Sequence, residues 1–292
     1  MRDVVPRRAA GTIAIAVALA ATAGGAASQE LAPHRAVYDL TLVRAGASVS
    51  MLSAQGRLVF EVNGAVCEGF TNNSRFVTRT VNREGDTVVD DLRLSTFETF
   101  EPAEFVFLNQ TVSESDTVSV VEGRATGKAS GTIVELTEPK ERTARLPRAV
   151  FPTQHTVLIL QAAAAGERVL EAPVFDGGGD ADRVFATTTV IGDPETGLQG
   201  AGPRERSALA AVPDAAELAT YTLVISYFDQ GATSGEAVPD YVISFRMLQN
   251  GISYDATFDY GSFALAGRLV ELELGPATQC PEDPQPPEPQ DR

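Results

Sequence analysis

Few residues in this chain are equipped for chemistry. His34 and His155 are the two histidines, and Cys67 and Cys280 the two cysteines. His155 follows Phe151-Pro152 at a position where a helix would begin, so it has the placement of a general base. A base needs a nucleophile and an orienting carboxylate, and no G-x-S-x-G elbow exists to present a serine. Capping or packing against a neighbouring element is the better reading of His155, and His34 has still less around it. Zinc asks for three or four nitrogen and sulfur ligands. Two histidines 121 positions apart do not supply them without carboxylates. Asp176-Gly177-Gly178-Gly179-Asp180-Ala181-Asp182 resembles an oxygen-ligand loop. It lacks the third-position Asp, the sixth-position Gly and the closing Glu of a calcium loop, so a flexible acidic connection is expected there. Gly123-Arg124-Ala125-Thr126-Gly127-Lys128 misses the phosphate-loop spacing by one residue and has Ala129 where Ser or Thr is required. Carboxylate pairs such as Asp90-Asp91 carry almost no information in so acidic a chain. The sequence therefore predicts no catalytic residue, no metal ligand and no cofactor. It reads as a protein that binds and does not react.

The acidity also bounds the partners. In 292 residues, 23 Lys+Arg stand against 39 Asp+Glu, a net charge of -16, and Lys128 and Lys140 are the two lysines. Nucleic-acid binding rests on a basic footprint, which is lacking. At 43% hydrophobic the chain has enough apolar material for a core. Residues 1–28 read as a signal peptide: Arg2, Arg7 and Arg8, then an uncharged apolar run, then Gly25-Ala26-Ala27-Ser28 for cleavage. The run is too short for a spanning helix, and no later stretch replaces it, so the mature chain is expected to be exported and free of transmembrane segments. Removal of residues 1–27 leaves 20 basic against 38 acidic residues, a net charge of -18. In an oxidising compartment the two cysteines read as one disulfide, the alternative being two buried free thiols.

The elements that must position these residues are mostly strands. Period-two alternation marks Ala36, Tyr38, Leu40 and Leu42, then Leu58, Phe60 and Val62, then Leu92 and Leu94, then Phe105 and Phe107. Later runs place Tyr221, Leu223, Ile225 and Tyr227 on one face, and Tyr241, Ile243, Phe245 and Met247 on another. Asn250-Gly251 signals a two-residue hairpin turn leading into Ile252, Tyr254, Ala256, Phe258 and Tyr260 on one face. Tyr221, Tyr241, Phe245, Tyr254 and Phe258 are therefore expected to form core or the wall of a ligand cavity. One helix, about Thr153 to Ala165, interrupts the strands: Pro152 opens it, Ala and Leu favour it, and Gly166 stops it. Leu158 and Leu160 are expected to be its buried residues. No internal repeat divides residues 29–280, and the Pro-rich acidic residues 281–292 read as a disordered tail.

Taken together, several stretches resemble the EipB-like family of α-proteobacterial periplasmic proteins, long known as a domain of unknown function. They are Ala32-Pro33-His34-Arg35-Ala36-Val37-Tyr38-Asp39-Leu40, Cys67-Glu68-Gly69-Phe70, Leu146-Pro147, Phe151-Pro152-Thr153-Gln154-His155, Val174-Phe175-Asp176-Gly177 and the closing Cys280. The resemblance covers about residues 31 to 280. It implies a single-domain antiparallel β-spiral, an incompletely closed barrel of about a dozen or more strands with one short helix, held by a disulfide that Cys67 and Cys280 match by position. It also implies a non-catalytic role in maintaining the cell envelope. An envelope lipid, a peptidoglycan fragment or a periplasmic envelope protein is then the expected partner. A purely structural scaffold and an unrecognised periplasmic hydrolase are the competing classes.

Overall fold

The structure, a computed structural model, describes residues 31–47, 49–113, 116–230, 238–278 and 280–281. The expected signal peptide, and the expected tail beyond residue 281, lie outside the described residues. Eight strands come first: β1 (His34–Ala45), β2 (Met51–Ala65), β3 (Gly69–Asn82), β4 (Thr87–Thr99), β5 (Glu104–Ser113), β6 (Asp116–Lys128), β7 (Gly131–Glu138) and β8 (Arg142–Leu146). Helix α1 (Pro152–Ala164) follows, then β9 (Val169–Val174), β10 (Phe185–Ile191), helix α2 (Pro203–Leu209), β11 (Thr220–Asp229), β12 (Tyr241–Leu248), β13 (Ser253–Asp259) and β14 (Phe263–Leu274).

All fourteen strands belong to one sheet, in the order β8-β7-β6-β5-β4-β3-β2-β1-β14-β13-β12-β11-β10-β9. Two up-and-down meanders are joined where β1 pairs antiparallel with β14, and α1 carries the chain from one outer edge to the other. The outer strands β8 and β9 are not neighbours, so the sheet does not close. Val150 instead bridges the free side of β9: its N–H donates to Pro173 O at 2.9 Å, and Phe175 N donates to Val150 O at 3.0 Å. An exposed edge is thereby shortened, which limits sheet-to-sheet association.

Helix α1 lies one residue earlier than the sequence suggests and ends at Gly166 (φ 79°). Gly166 N donates to Ala163 O and Glu167 N to Ala162 O, the paired bonds that close a helix through a left-handed glycine. Its buried apolar face is Val157, Ile159, Leu160, Ala162 and Ala163. Leu160 is buried as expected, but Leu158 is only half-buried, because Val157 and Ile159 are the neighbours that turn toward the sheet.

The sequence reading misses α2. This segment has only seven residues, three of them charged, and gives no apolar stripe. Its stability comes from Glu205, whose carboxylate is buried. Oε2 accepts from Gly202 N at 2.9 Å, and Oε1 accepts from Asp255 N at 2.9 Å and Leu269 N at 3.2 Å. β13 and β14 pair only over Ala256–Asp259 and Ala264–Gly267. Past that point the two strands separate, and the carboxylate takes up backbone donors from both.

Two further local differences have clear causes. Only Gly251 of the Asn250-Gly251 pair has positive φ (88°), and Gly251 N donates to Leu248 O while Leu248 N donates to Ile252 O. The connection is a three-residue loop ending in a left-handed glycine, the next commonest hairpin, not a two-residue turn. In β13, Ser244 and Arg246 pair with Thr257 and Tyr254, so β13 holds one extra residue. Asp255 (φ 51°) marks this bulge. Partners across strands share a face, so Tyr254 lies opposite Phe258 and the single face expected for Ile252 to Tyr260 is broken.

Cys67 and Cys280 are joined, with Cα atoms 5.7 Å apart and a sequence separation of 213. The bridge fastens the β2–β3 corner to the segment after β14.

Candidate functional site

A cavity of about 310 Å³ lies against the inner surface of β1 to β4, where the strand register builds it row by row. His34, Val62, Asn72 and Thr96 are successive cross-strand partners on β1, β2, β3 and β4. Phe60, Ser74 and Leu94 form the adjoining row. All seven side chains line the cavity. The first turn of α1 covers them with Pro152, Thr153 and Thr156, while Asp176 and Gly178 close one side and Leu31 and Gly251 another. The size sits at the lower end of small-molecule pockets, and an apolar lining with few polar groups is their usual character.

The helix is held over this floor by Glu98, two residues beyond Thr96 and therefore on the same face of β4. Phe151 at the helix start makes no side-chain cap. Glu98 does this from across the fold: Thr153 N donates to Oε2 and Gln154 N to Oε1, both at 2.7 Å. Asn72 Nδ2 donates to Thr153 Oγ1 at 2.9 Å, tying the helix to the cavity floor as well. Glu98 is fully buried, and that burial pushes its carboxyl up to about 7 against the pull of the Gln154 and Thr153 hydrogen bonds.

Both histidines are buried and neutral in character. Burial lowers His155 to about 4. Thr187 Oγ1 donates to Ala172 O at 2.8 Å, so the 3.3 Å contact between Thr187 Oγ1 and His155 Nε2 is a donation from the ring. His155 therefore packs against β10, as its sequence context suggests, and does not line the cavity. His34 does line it. Its Nδ1 stands 2.7 Å from Ala32 O, and burial lowers its pKa below the ordinary histidine value. The connection from Asp176 onward is not the loose acidic loop expected. Gly178 N donates to Asp176 Oδ1 at 2.8 Å, Asn109 Nδ2 donates to Gly177 O at 2.7 Å, and the Gly177 α-carbon packs so closely on Phe107 that an added Cβ would lie 2.9 Å from the ring. Burial raises the Asp176 carboxyl above the usual carboxylate range.

The five aromatic residues singled out from the sequence lie elsewhere. Tyr221 is buried in the cluster that packs on α1, with Phe245 half-buried against it. Tyr254 is buried in the cluster around α2 and donates from its hydroxyl to Gln199 O at 3.0 Å. Tyr241 stacks on Tyr227 with ring centroids 4.3 Å apart, and Phe258 meets Phe76 edge-on at 6.3 Å. None of the five lines this cavity. His34 and Asp176 stood out by residue type and Phe60, Val62 and Leu94 by alternation, but not as one wall; Glu98 was legible only through parity, since Leu92 and Leu94 mark an inward face that continues to Thr96 and Glu98.

Comparison with known proteins agrees with this architecture over most of its length. The EipB-like family model matches residues 25–276. The chain belongs to the EipB-like family. This EipB-like chain is 36% identical over 269 residues to the cell envelope integrity protein EipB of Brucella abortus (strain 2308), covering 90% of this chain and 91% of that protein. It is also similar to the crystal structure of a β-barrel-like protein of a domain of unknown function from Brucella abortus. The TM-score is 0.79 at 36% identity, with 85% of this chain and 99% of the other covered. The antiparallel, unclosed β architecture expected from the resemblance is what this chain shows, in a fold similar to that β-barrel-like structure, with two helices where one was expected. Among the described residues no helix is long and apolar enough to cross a membrane.

Proposed function

We propose that this EipB-like protein maintains the cell envelope from the periplasm by holding an envelope component in the cavity under α1, without catalysing a reaction on it. In this reading residues 1–28 are removed on export, residues 29–280 form the working domain and residues 281–292 trail from it. The relative's name supports the envelope role, and the disulfide suits an oxidising compartment. The observation that carries the non-catalytic reading is the composition of the cavity wall. Its histidine, His34, stands on β1 and its serine, Ser74, on β3. Among the described residues the His34 ring pairs with Ala32 O and with no hydroxyl of the wall, so no base and nucleophile are assembled there. The remaining lining is chiefly apolar, and the buried titratable groups are displaced toward their neutral forms.

A fluorescent lipid probe tests this reading. The probe should bind with saturation, and an envelope lipid extract should displace it. His155→Ala, whose side chain turns to β10 and does not line the cavity, should leave both binding and envelope complementation unchanged. Loss of complementation in that variant, with folding and export intact, would overturn the non-catalytic assignment.

A further inference from the structure

The polar groups of the cavity specify more than an apolar tenant. A carbonyl oxygen only accepts, so the 2.7 Å contact with Ala32 O fixes the proton of His34 on Nδ1. That leaves Nε2 as a bare acceptor. It has no hydrogen-bond partner among the described residues, although the residue is only 3% exposed and its exposure is onto the cavity. Nε2 is not sealed from solvent, so a group entering the cavity can reach it, and a tenant that displaced water without donating to it would leave a costly unpaired acceptor. No Lys or Arg side chain lines the site, so an anionic group entering it would meet no countercharge, while Asp176 stands in the wall. Asp176 in turn is already served by Gly178 N at 2.8 Å and by the field of Arg183, so it does not await an ammonium. Phe60 and Val62 supply apolar surface beside the imidazole, and Leu94 continues it across the floor on β4. At ~30 Å³ per water-sized group, 310 Å³ admits about ten such groups, enough for one short chain and its polar end.

We infer that the cavity takes an uncharged, single-chain molecule whose polar end donates a hydrogen bond, an O–H or an amide N–H, to His34 Nε2. This rests on the reading that the cavity is the binding site, and deepens it by naming the ligand's chemistry. A hydroxyl end and an amide end share that chemistry but come from different envelope sources, an acylglycerol or an acylated amine.

Short probes separate these cases by calorimetry on the full mature protein with its disulfide intact. Octan-1-ol supplies an O–H donor and N-hexylacetamide an N–H donor. Heptyl methyl ether matches octanol in size but has no donor, and octanoate and octylammonium at pH 7.5 carry opposite charges. One or both donors should bind about tenfold more tightly than the ether and more tightly than either ion, and which donor binds better identifies the source. The nitrogen NMR signal of His34 Nε2 in the unaltered protein should move on adding the better donor and stay in place with the ether. His34→Phe should bring donor and ether affinities together, and His34→Gln, which keeps an acceptor, should restore part of the difference. Equal binding of alcohol and ether, or preference for octanoate or octylammonium, would overturn this inference while leaving a ligand-holding cavity intact. Absence of binding by every probe, together with no displacement by envelope lipid extract, would overturn both.

Discussion

Glu98→Gln tests how the lid of the cavity is held. The wild-type carboxyl is fully buried and is pushed by burial from the ordinary value of 4.5 to about 7. The folded state therefore binds this proton more tightly than the unfolded state. The resulting stability is present in full below about pH 4.5 and is lost as pH rises through about 7. At ~1.4 kcal/mol per pH unit the gap between the two values amounts to roughly 3 kcal/mol. Glutamine cannot titrate, so this dependence disappears in the variant. Its single carbonyl serves one of the two N–H groups of Thr153 and Gln154, and its NH2 faces the other, leaving a buried donor unpaired at about 1–3 kcal/mol. Urea denaturation of both proteins at pH 5 and pH 8 reads the result. At pH 5 the variant should be the less stable by that 1–3 kcal/mol, and at pH 8 the difference should shrink to nothing or reverse. Other shifted groups, such as Asp91, held down to about 2 by Arg75 and Arg93, remain in both proteins and cancel in the comparison. Parallel stability curves across this range would refute the placement of Glu98 as a buried, largely protonated anchor.

Three further perturbations follow from the packing. Cys67→Ser should reduce stability by up to about 5 kcal/mol, the chain-entropy value for a loop as long as 213 residues; an unchanged urea midpoint would show the bridge constrains little, and far-ultraviolet circular dichroism should keep most of its β signal. Glu205→Ala strands Gly202 N, Asp255 N and Leu269 N, and should cost about 3 kcal/mol or more, with amide exchange rising first in α2 and the splayed ends of β13 and β14. Leu160→Ala should cost about 2–5 kcal/mol and the half-buried Leu158→Ala clearly less; the reverse order in thermal melts would mean that the helix is rotated from its described position.

The strands were legible because alternation is a short-range signal, and the polar residues between turns kept to it through β1, β2 and β11. Helix α1 was legible from Pro152, the alanines and Gly166, all local features. The α2 segment was not, since PRERSAL becomes helical through one buried carboxylate that collects donors from β13 and β14, a tertiary fact no window contains. The same limit hid the site. Glu98 is one acid among many, and composition alone assigns such residues to the surface. Asp255 broke the alternation of β13 by adopting a left-handed conformation, one open to aspartate more than to most residues but announced by no local signal, so Tyr254 and Phe258 were placed on one face when they occupy two. The pairing of the cysteines needed only their number and the compartment. The importance of His34 needed the register of four strands.

The proposed function places the working part of the protein in the cavity under α1. Ser74→Phe tests it most directly, because Ser74 lies on the cavity floor between Phe60 and Leu94 and a ring there fills the space. Envelope-stress survival should be measured in cells that carry this variant as their sole copy, with the thermal midpoint and the disulfide checked on purified protein. A folded, oxidised protein that fails to protect the envelope is expected; full protection by the filled variant would contradict a working cavity.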